Sequence, residues 1–265
     1  MKKFLIWSGG ILGFLGLLVV LNFTLFSLNL VKITFHNATV MFSDTNLQNS
    51  IIETGEFETE NSVLFMDKQS HIAKIEKEYP FLKVINLEIQ FPNNIVMHCI
   101  EREPVFAIQT TANLLVCDKE FKVLEVQNLT NYESTQNNYI LIEGLEIENE
   151  LTAGDFIVID ETPLLKLISP AFELNNRNIF EQQSLIKKIE ITKMVSVINE
   201  EYTPAIFITD FNGLQTKIED AKDKLEYKIN IFLALQSQII NVSEKYLLIY
   251  ENLNSRIVAQ EKALT

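Results

Sequence analysis

Ser184-Leu185-Ile186-Lys187 has the S-x-x-K spacing at which one helical turn sets a lysine amine beside a serine hydroxyl and activates it for acyl transfer. Neither a K-T-G nor an S-D-N accompanies it, and no helical pattern follows the serine to aim the lysine, so the match reads as coincidence. His36, His71 and His98 lie far apart in the chain, and no H-x-x-H, H-E-x-x-H or C-x-x-C spacing occurs, so a metal site lacks its ligands. Glu143, Glu146, Glu148 and Glu150 form an acidic run that reads as a solvated loop and not as two carboxylates facing across a cleft. No glycine-rich phosphate loop is present. The expectation is therefore a chain with no catalytic, cofactor or metal site.

The elements that would position a binding surface are easier to read. Ile85, Leu87, Ile89 and Phe91 alternate with Asn86, Glu88 and Gln90, the period-two pattern of a strand with one buried face. Pro92-Asn93-Asn94 supplies a reversal, and Ile95, Met97 and Cys99 continue the alternation until Pro104, which has no N–H to give a ladder. Upstream, Val31–Phe35 is strand-like. Asp44 or Thr45 can cap a helix over Leu47, Ile51 and Ile52 that ends at Gly55, and Asp67 can cap a second helix that Pro80 stops. The expected order is strand, helix, helix, strand, strand.

After Pro104 the texture changes to short strands: 106–110, 114–117, 123–126, 139–142, 185–191, 195–199, 205–210 and 214–218, the last two joined by an Asn212-Gly213 turn. A helix is expected over 163–174. A clearer one opens at Asp220 with the apolar stripe Leu225, Ile229, Phe232, Leu233, Leu235 and Ile239. Two strand-like pieces, 246–250 and 257–259, close the chain.

Phe4 to Val31 contains no charged residue over 28 positions, and a helix rising about 1.5 Å per residue would cross a hydrocarbon core of roughly 30 Å. The run is longer than the core of a cleaved signal peptide and lacks an A-x-A-like site, so an uncleaved anchor is expected. Lys2 and Lys3 before it place the N-terminus in the cytoplasm. Outside them, 20 of the 22 basic residues face 35 acidic ones. That balance excludes a nucleic-acid face and suggests a module working at a distance from the bilayer. Cys99 and Cys117 sit in apparent strands and read as buried free thiols, with a disulfide as the alternative in an oxidising compartment.

Several of these residues together carry a family resemblance. Tyr79-Pro80-Phe81 with Val84, then Phe91-Pro92, Ile95, Met97, Cys99, Glu101-Arg102 and Pro104-Val105-Phe106-Ala107, resembles a signature of the FtsQ/DivIB family of bacterial cell division proteins. Leu115-Val116-Cys117-Asp118, Val123-Leu124, Ile142-Glu143-Gly144, and Asn212-Gly213 with Lys224-Leu225, Lys228-Ile229 and Leu233 are similar to further family segments. Two places depart from the pattern. His36-Asn37-Ala38 stands where a glycine is usual, and Leu248-Ile249-Tyr250 replaces an acidic–arginine pair.

The resemblance implies an α+β fold: a cytoplasmic stub (1–3), a single transmembrane helix (4–30), a POTRA-type domain (31–104), a β-rich extracytoplasmic domain with a C-terminal helix and terminal strands (105–260), and a tail (261–265). It further implies a non-enzymatic divisome scaffold at the septum, without cofactor, that binds FtsB/DivIC-like and FtsL-like membrane proteins and helps control septal peptidoglycan synthesis. An exported cell-wall enzyme and a POTRA-bearing transport component are the alternatives. Tyr246, Leu247, Leu248, Ile249 and Tyr250 are expected to offer an open sheet edge to a partner. Glu101, Arg102 and Pro104 are expected to be structural, as an ion pair or a brace between domains.

Overall fold

The computed structural model describes residues 13–17, 19–20, 24–37, 41–57, 63–129, 139–145, 147, 150–158, 186–195, 202–210, 212–235, 238–239 and 245–263. Two units divide at Arg102/Glu103. The described residues are β-rich, with twelve strands in a three-stranded and a nine-stranded sheet.

In the first unit β1 (Leu30–Phe35) pairs in parallel with β3 (Asn94–Glu101), which pairs antiparallel with β2 (Leu82–Gln90). Two helices connect β1 to β2, namely α1 (Thr45–Thr54) and α2 (Lys68–Glu78). Asp44 caps α1 by accepting from the Asn46 N–H at 3.1 Å, and Asp67 caps α2 by accepting from the Ser70 N–H at 3.3 Å. Ile51 and Ile75 on the helices bury against Leu82, Leu87, Ile95, Met97 and Cys99 on the sheet. The alternation of β3 places Ile95, Met97 and Cys99 in this core. β2 departs from the expected pattern because its register shifts between Val84 and Asn86. The bulge turns Ile85 outward while Val84 and Leu87 stay buried, since one extra residue reverses the face of every side chain before it. Asn37 ends β1 as a substitute strand residue. Its Oδ1 accepts the Glu101 N–H and its Nδ2 donates to the Glu101 carbonyl, both at 3.0 Å.

The expected fold class needs correction at the N-terminus and in its balance of helix and strand. No helix of the described residues is long and apolar enough to cross a membrane, so the transmembrane helix expected over 4–30 is not seen. Within that run residues 13–17, 19–20 and 24–25 are helical. The run is shortened from its far end by the folded unit. The Phe26 carbonyl accepts the Val63 N–H at 2.8 Å, Leu28 is buried in the core, and Leu30 begins β1. A stretch without charge is thus shared between helix and globular core, and counting apolar residues cannot separate them.

The strands described in the second unit form one sheet in the order β12-β11-β10-β9-β8-β7-β4-β5-β6. Its strands are β4 (Phe106–Gln109), β5 (Asn113–Cys117), β6 (Val123–Asn128), β7 (Ile140–Glu143), β8 (Ile186–Val195), β9 (Tyr202–Asp210), β10 (Gln215–Ile218), β11 (Lys245–Glu251) and β12 (Ile257–Ala263). α3 (Leu225–Leu235) covers its C-terminal end, burying Leu225, Ile229 and Phe232 with Leu247 and Ile249. The helix starts five residues later than Asp220 because the chain turns first, with Asp220 and Lys224 in left-handed conformations. Gly144 has φ +84°, and a Cβ there would stand 2.0 Å from the Ile191 carbonyl oxygen, so only glycine fits. The helix expected over 163–174 lies outside the described residues.

Candidate partner-docking edge

The last hairpin of the chain builds the candidate site. β11 pairs in parallel with β10 on one side and antiparallel with β12 on the other. Both of its backbone edges are therefore occupied, so the open edge expected at Tyr246–Tyr250 lies one strand further out, on β12. Among the described residues no strand pairs with the outer side of β12.

The Asn252 N–H donates to the Arg256 carbonyl at 2.9 Å, and hydrogen-bonded pairs alternate in an antiparallel ladder. The bonded pairs are then Tyr250–Val258, Leu248–Gln260 and Tyr246–Lys262. By the same alternation the N–H and C=O groups of Ile257, Ala259, Glu261 and Ala263 point outward. The parity is independently supported on the far side of β11, where the Ile249 carbonyl accepts the Glu219 N–H at 2.9 Å.

Three local devices hold this edge in place. Asn252 closes the turn, its Oδ1 accepting from the Asn254 and Arg256 N–H groups at 3.0 and 3.1 Å, while Ser255 takes φ +57°. Lys224 and Glu251 join the loop before α3 to the end of β11 at 3.0 Å. The hydrogen bond between them raises the Lys224 pKa and lowers that of Glu251. Lys228 is fully buried, and its Nζ donates to the Glu219 and Asp220 carbonyls, both at 2.9 Å. Burial lowers its pKa, and the two carbonyls satisfy an ammonium that would otherwise be costly to bury.

The five residues expected to bind divide by face. Leu247 and Ile249 are core residues under α3. Tyr246, Leu248 and Tyr250 point to the other face and are half-buried there. In register with Leu248 stands Lys217, which in turn pairs with Phe207 and holds its ammonium 5.8 Å above that ring. This face is a strip of aromatic and apolar side chains beside the edge, so these residues can contribute side chains to a docked strand although their backbone is used. β12 itself was not expected to be the edge, yet its sequence carried a signal. Ile-Val-Ala gives way to Gln-Glu-Lys, the charged ending common on strands that must avoid indiscriminate pairing.

The residues expected to be structural fall within or next to the first unit. Arg102 pairs with Glu76 at 3.0 Å, with side chains only 3% and 13% exposed, and its N–H donates to the Phe81 carbonyl at 2.6 Å. Glu101 has other partners, accepting the Met41 N–H at 3.3 Å in addition to the Asn37 exchange. Pro104 lies between β3 and β4. Cys99 and Cys117 are buried free thiols, and burial pushes the Cys99 thiol up to about 12. The ring nitrogens of His98 contact His36 and Glu88, each at 2.9 Å. Ser184 lies outside the described residues.

No family model matches the chain. It is 25% identical over 134 residues to the cell division protein DivIB of Clostridium acetobutylicum, an alignment covering 50% of this chain and 49% of that protein. The chain spans about half the length of the relative it matches. The likeness supports a distant FtsQ/DivIB-like relationship.

Proposed function

We propose that this chain is a non-enzymatic scaffold of bacterial cell division that takes a strand of an FtsB/DivIC-type protein onto β12, and through it and an FtsL-type protein influences septal peptidoglycan synthesis. The observation that carries the reading is the open edge of β12, with four outward-facing backbone positions beside an aromatic strip. The likeness to DivIB supplies the division role. Main-chain hydrogen bonds would provide affinity, while Tyr246, Leu248 and Tyr250 would select the partner's alternate side chains. Removal of 257–265 should abolish co-purification with an FtsB/DivIC-type protein, and retained co-purification would overturn the strand-addition mechanism. A fluorescent fusion should concentrate at midcell in dividing cells. A uniform signal would count against the division role itself.

A further inference from the structure

Between Met97 and Cys99, which bury under the helices of the first unit, His98 turns to the opposite face of β3, the central strand of the three-stranded sheet. Each neighbouring strand brings a side chain to it. His36 directly follows β1, and its Nε2 lies 2.9 Å from the His98 Nδ1, with the ring centroids 5.0 Å apart. Glu88 comes from β2, and its carboxylate lies 2.9 Å from the His98 Nε2. The two histidines are 62 residues apart in the chain, so no local spacing could announce them. His36 also belongs to His36-Asn37-Ala38, one of the places where the chain departs from the FtsQ/DivIB pattern.

Backbone and carboxylate hold the pair from both sides. The His36 N–H donates to the Cys99 carbonyl at 3.0 Å, and the next residue, Asn37, exchanges two hydrogen bonds with the Glu101 backbone, both at 3.0 Å. In a neutral His98 ring the Nε2 proton goes to Glu88, which leaves the lone pair on Nδ1, the nitrogen facing His36. A carboxylate behind an imidazole is the outer support that orients a metal-binding histidine. The His98 side chain is 22% exposed and that of Glu88 52%, and His36 is exposed, so ions in solution reach the pair.

We propose that the His36 Nε2 and the His98 Nδ1 together bind a divalent transition metal of tetragonal preference, Cu(II) ahead of Zn(II). The spacing selects the metal. Two nitrogens 2.9 Å apart, each about 2.0–2.1 Å from a shared cation, subtend about 90° at it, the angle between neighbours in a square-planar set. A tetrahedral zinc site needs roughly 3.3 Å between the same atoms at those bond lengths. Imidazole suits copper, and copper stands highest in the affinity order of the divalent first-row metals. Among the described residues no three ligating side chains converge, so the pair supplies two ligands and the other positions go to water or to a ligand from outside the chain. On binding, the exposed His36 ring turns its Nε2 lone pair from His98 to the metal. Its Nε2 proton passes to its Nδ1 through solvent, so no proton is lost overall. A net charge of −13 favours cations at the surface. The inference does not depend on the division role.

One equivalent of Cu(II), added to the full chain in a non-coordinating buffer, should give an axial electron paramagnetic resonance spectrum with superhyperfine splitting from two imidazole nitrogens. Titration calorimetry should show Cu(II) bound more tightly than Zn(II). His36 and Glu88 are exposed, so substitutions there leave the core intact. Glu88→Gln keeps both ligands and should weaken Cu(II) about tenfold. His36→Ala should weaken it further and remove one nitrogen from the splitting, while His71→Ala, at the third histidine, should leave the spectrum unchanged. A spectrum of the unsubstituted chain without two-nitrogen splitting, or one that His36→Ala does not alter, would overturn the inference. Zn(II) bound as tightly as Cu(II) would overturn the tetragonal geometry.

Discussion

The two ends of the nine-stranded sheet solve the same problem in different ways. At β6 the outward groups are covered early in the strand. Val123 donates its N–H to the Asp155 carbonyl and accepts the Gly154 N–H, both at 2.8 Å, and Lys122 bridges to Phe156. Lys122 is almost wholly buried there, its ammonium 4.9 Å from the Phe156 ring centroid. At β12 the described residues provide no such cover. Unpaired strand edges invite association, and among the described residues the cover over the start of β6 has no counterpart on β12. The open end is braced through Lys228, the Lys224–Glu251 pair and the Asn252 turn. Rigid presentation of an edge lowers the ordering cost of binding.

The contrast can be attacked from either side. The largest effect is expected from Ala259→Pro, which removes an outward N–H and obstructs a docking strand while leaving the ladder to β11 intact. Affinity for the partner should fall about tenfold or more, since two main-chain hydrogen bonds at roughly 1 kcal/mol each are at stake, and titration calorimetry would measure it. Lys228→Met removes the donor to two carbonyls behind the edge. With an orphaned buried acceptor costing about 1–3 kcal/mol, urea denaturation should show a loss of that order and β11–β12 amides should exchange faster.

On the covered side, Asp155→Ala removes the carboxylate that accepts from the Thr152 N–H and hydroxyl, both at 2.8 Å. A loss of about 1 kcal/mol is expected, with faster exchange of the Val123 amide and no change in partner affinity. The smallest effect belongs to Lys224–Glu251. The Glu251 pKa is lowered from 4.5, so its contribution is present above 4.5 and is lost as pH falls through the folded value. The Lys224 pKa is raised from 10.5, so its share is present below 10.5 and is lost as pH rises through the folded value. Lys224→Ala should therefore lower the melting temperature slightly between those limits and leave it unchanged beyond them, which flattens its pH dependence.

Which parts of this were legible in the sequence follows from the range of the interactions. Alternation in β3 and the caps at Asp44 and Asp67 depend on neighbours a few residues apart, and could be read directly. The bulge at Ile85 could not, because it arises from pairing with β3. Residues 185–191 and 195–199 read as separate strands, whereas β8 continues unbroken to Val195 along its ladder to β9. Position within a sheet is likewise nonlocal. Tyr246–Tyr250 has the stronger strand pattern and looked like the edge, but the Asn252 turn folds β12 over it. The apolar run from Phe4 failed for a related reason, since the Val63 and Asn93 contacts that draw its end into the first unit come from distant segments.

Amide hydrogen exchange along β12, in the free chain and with an FtsB/DivIC-type partner, tests the open edge most directly. In the free chain the amides of Ile257, Ala259, Glu261 and Ala263 should exchange rapidly while those of Val258, Gln260 and Lys262 are protected, and the partner should slow the first set to match the second. Slow exchange of the first set in the free chain, or no change when the partner binds, would contradict the account.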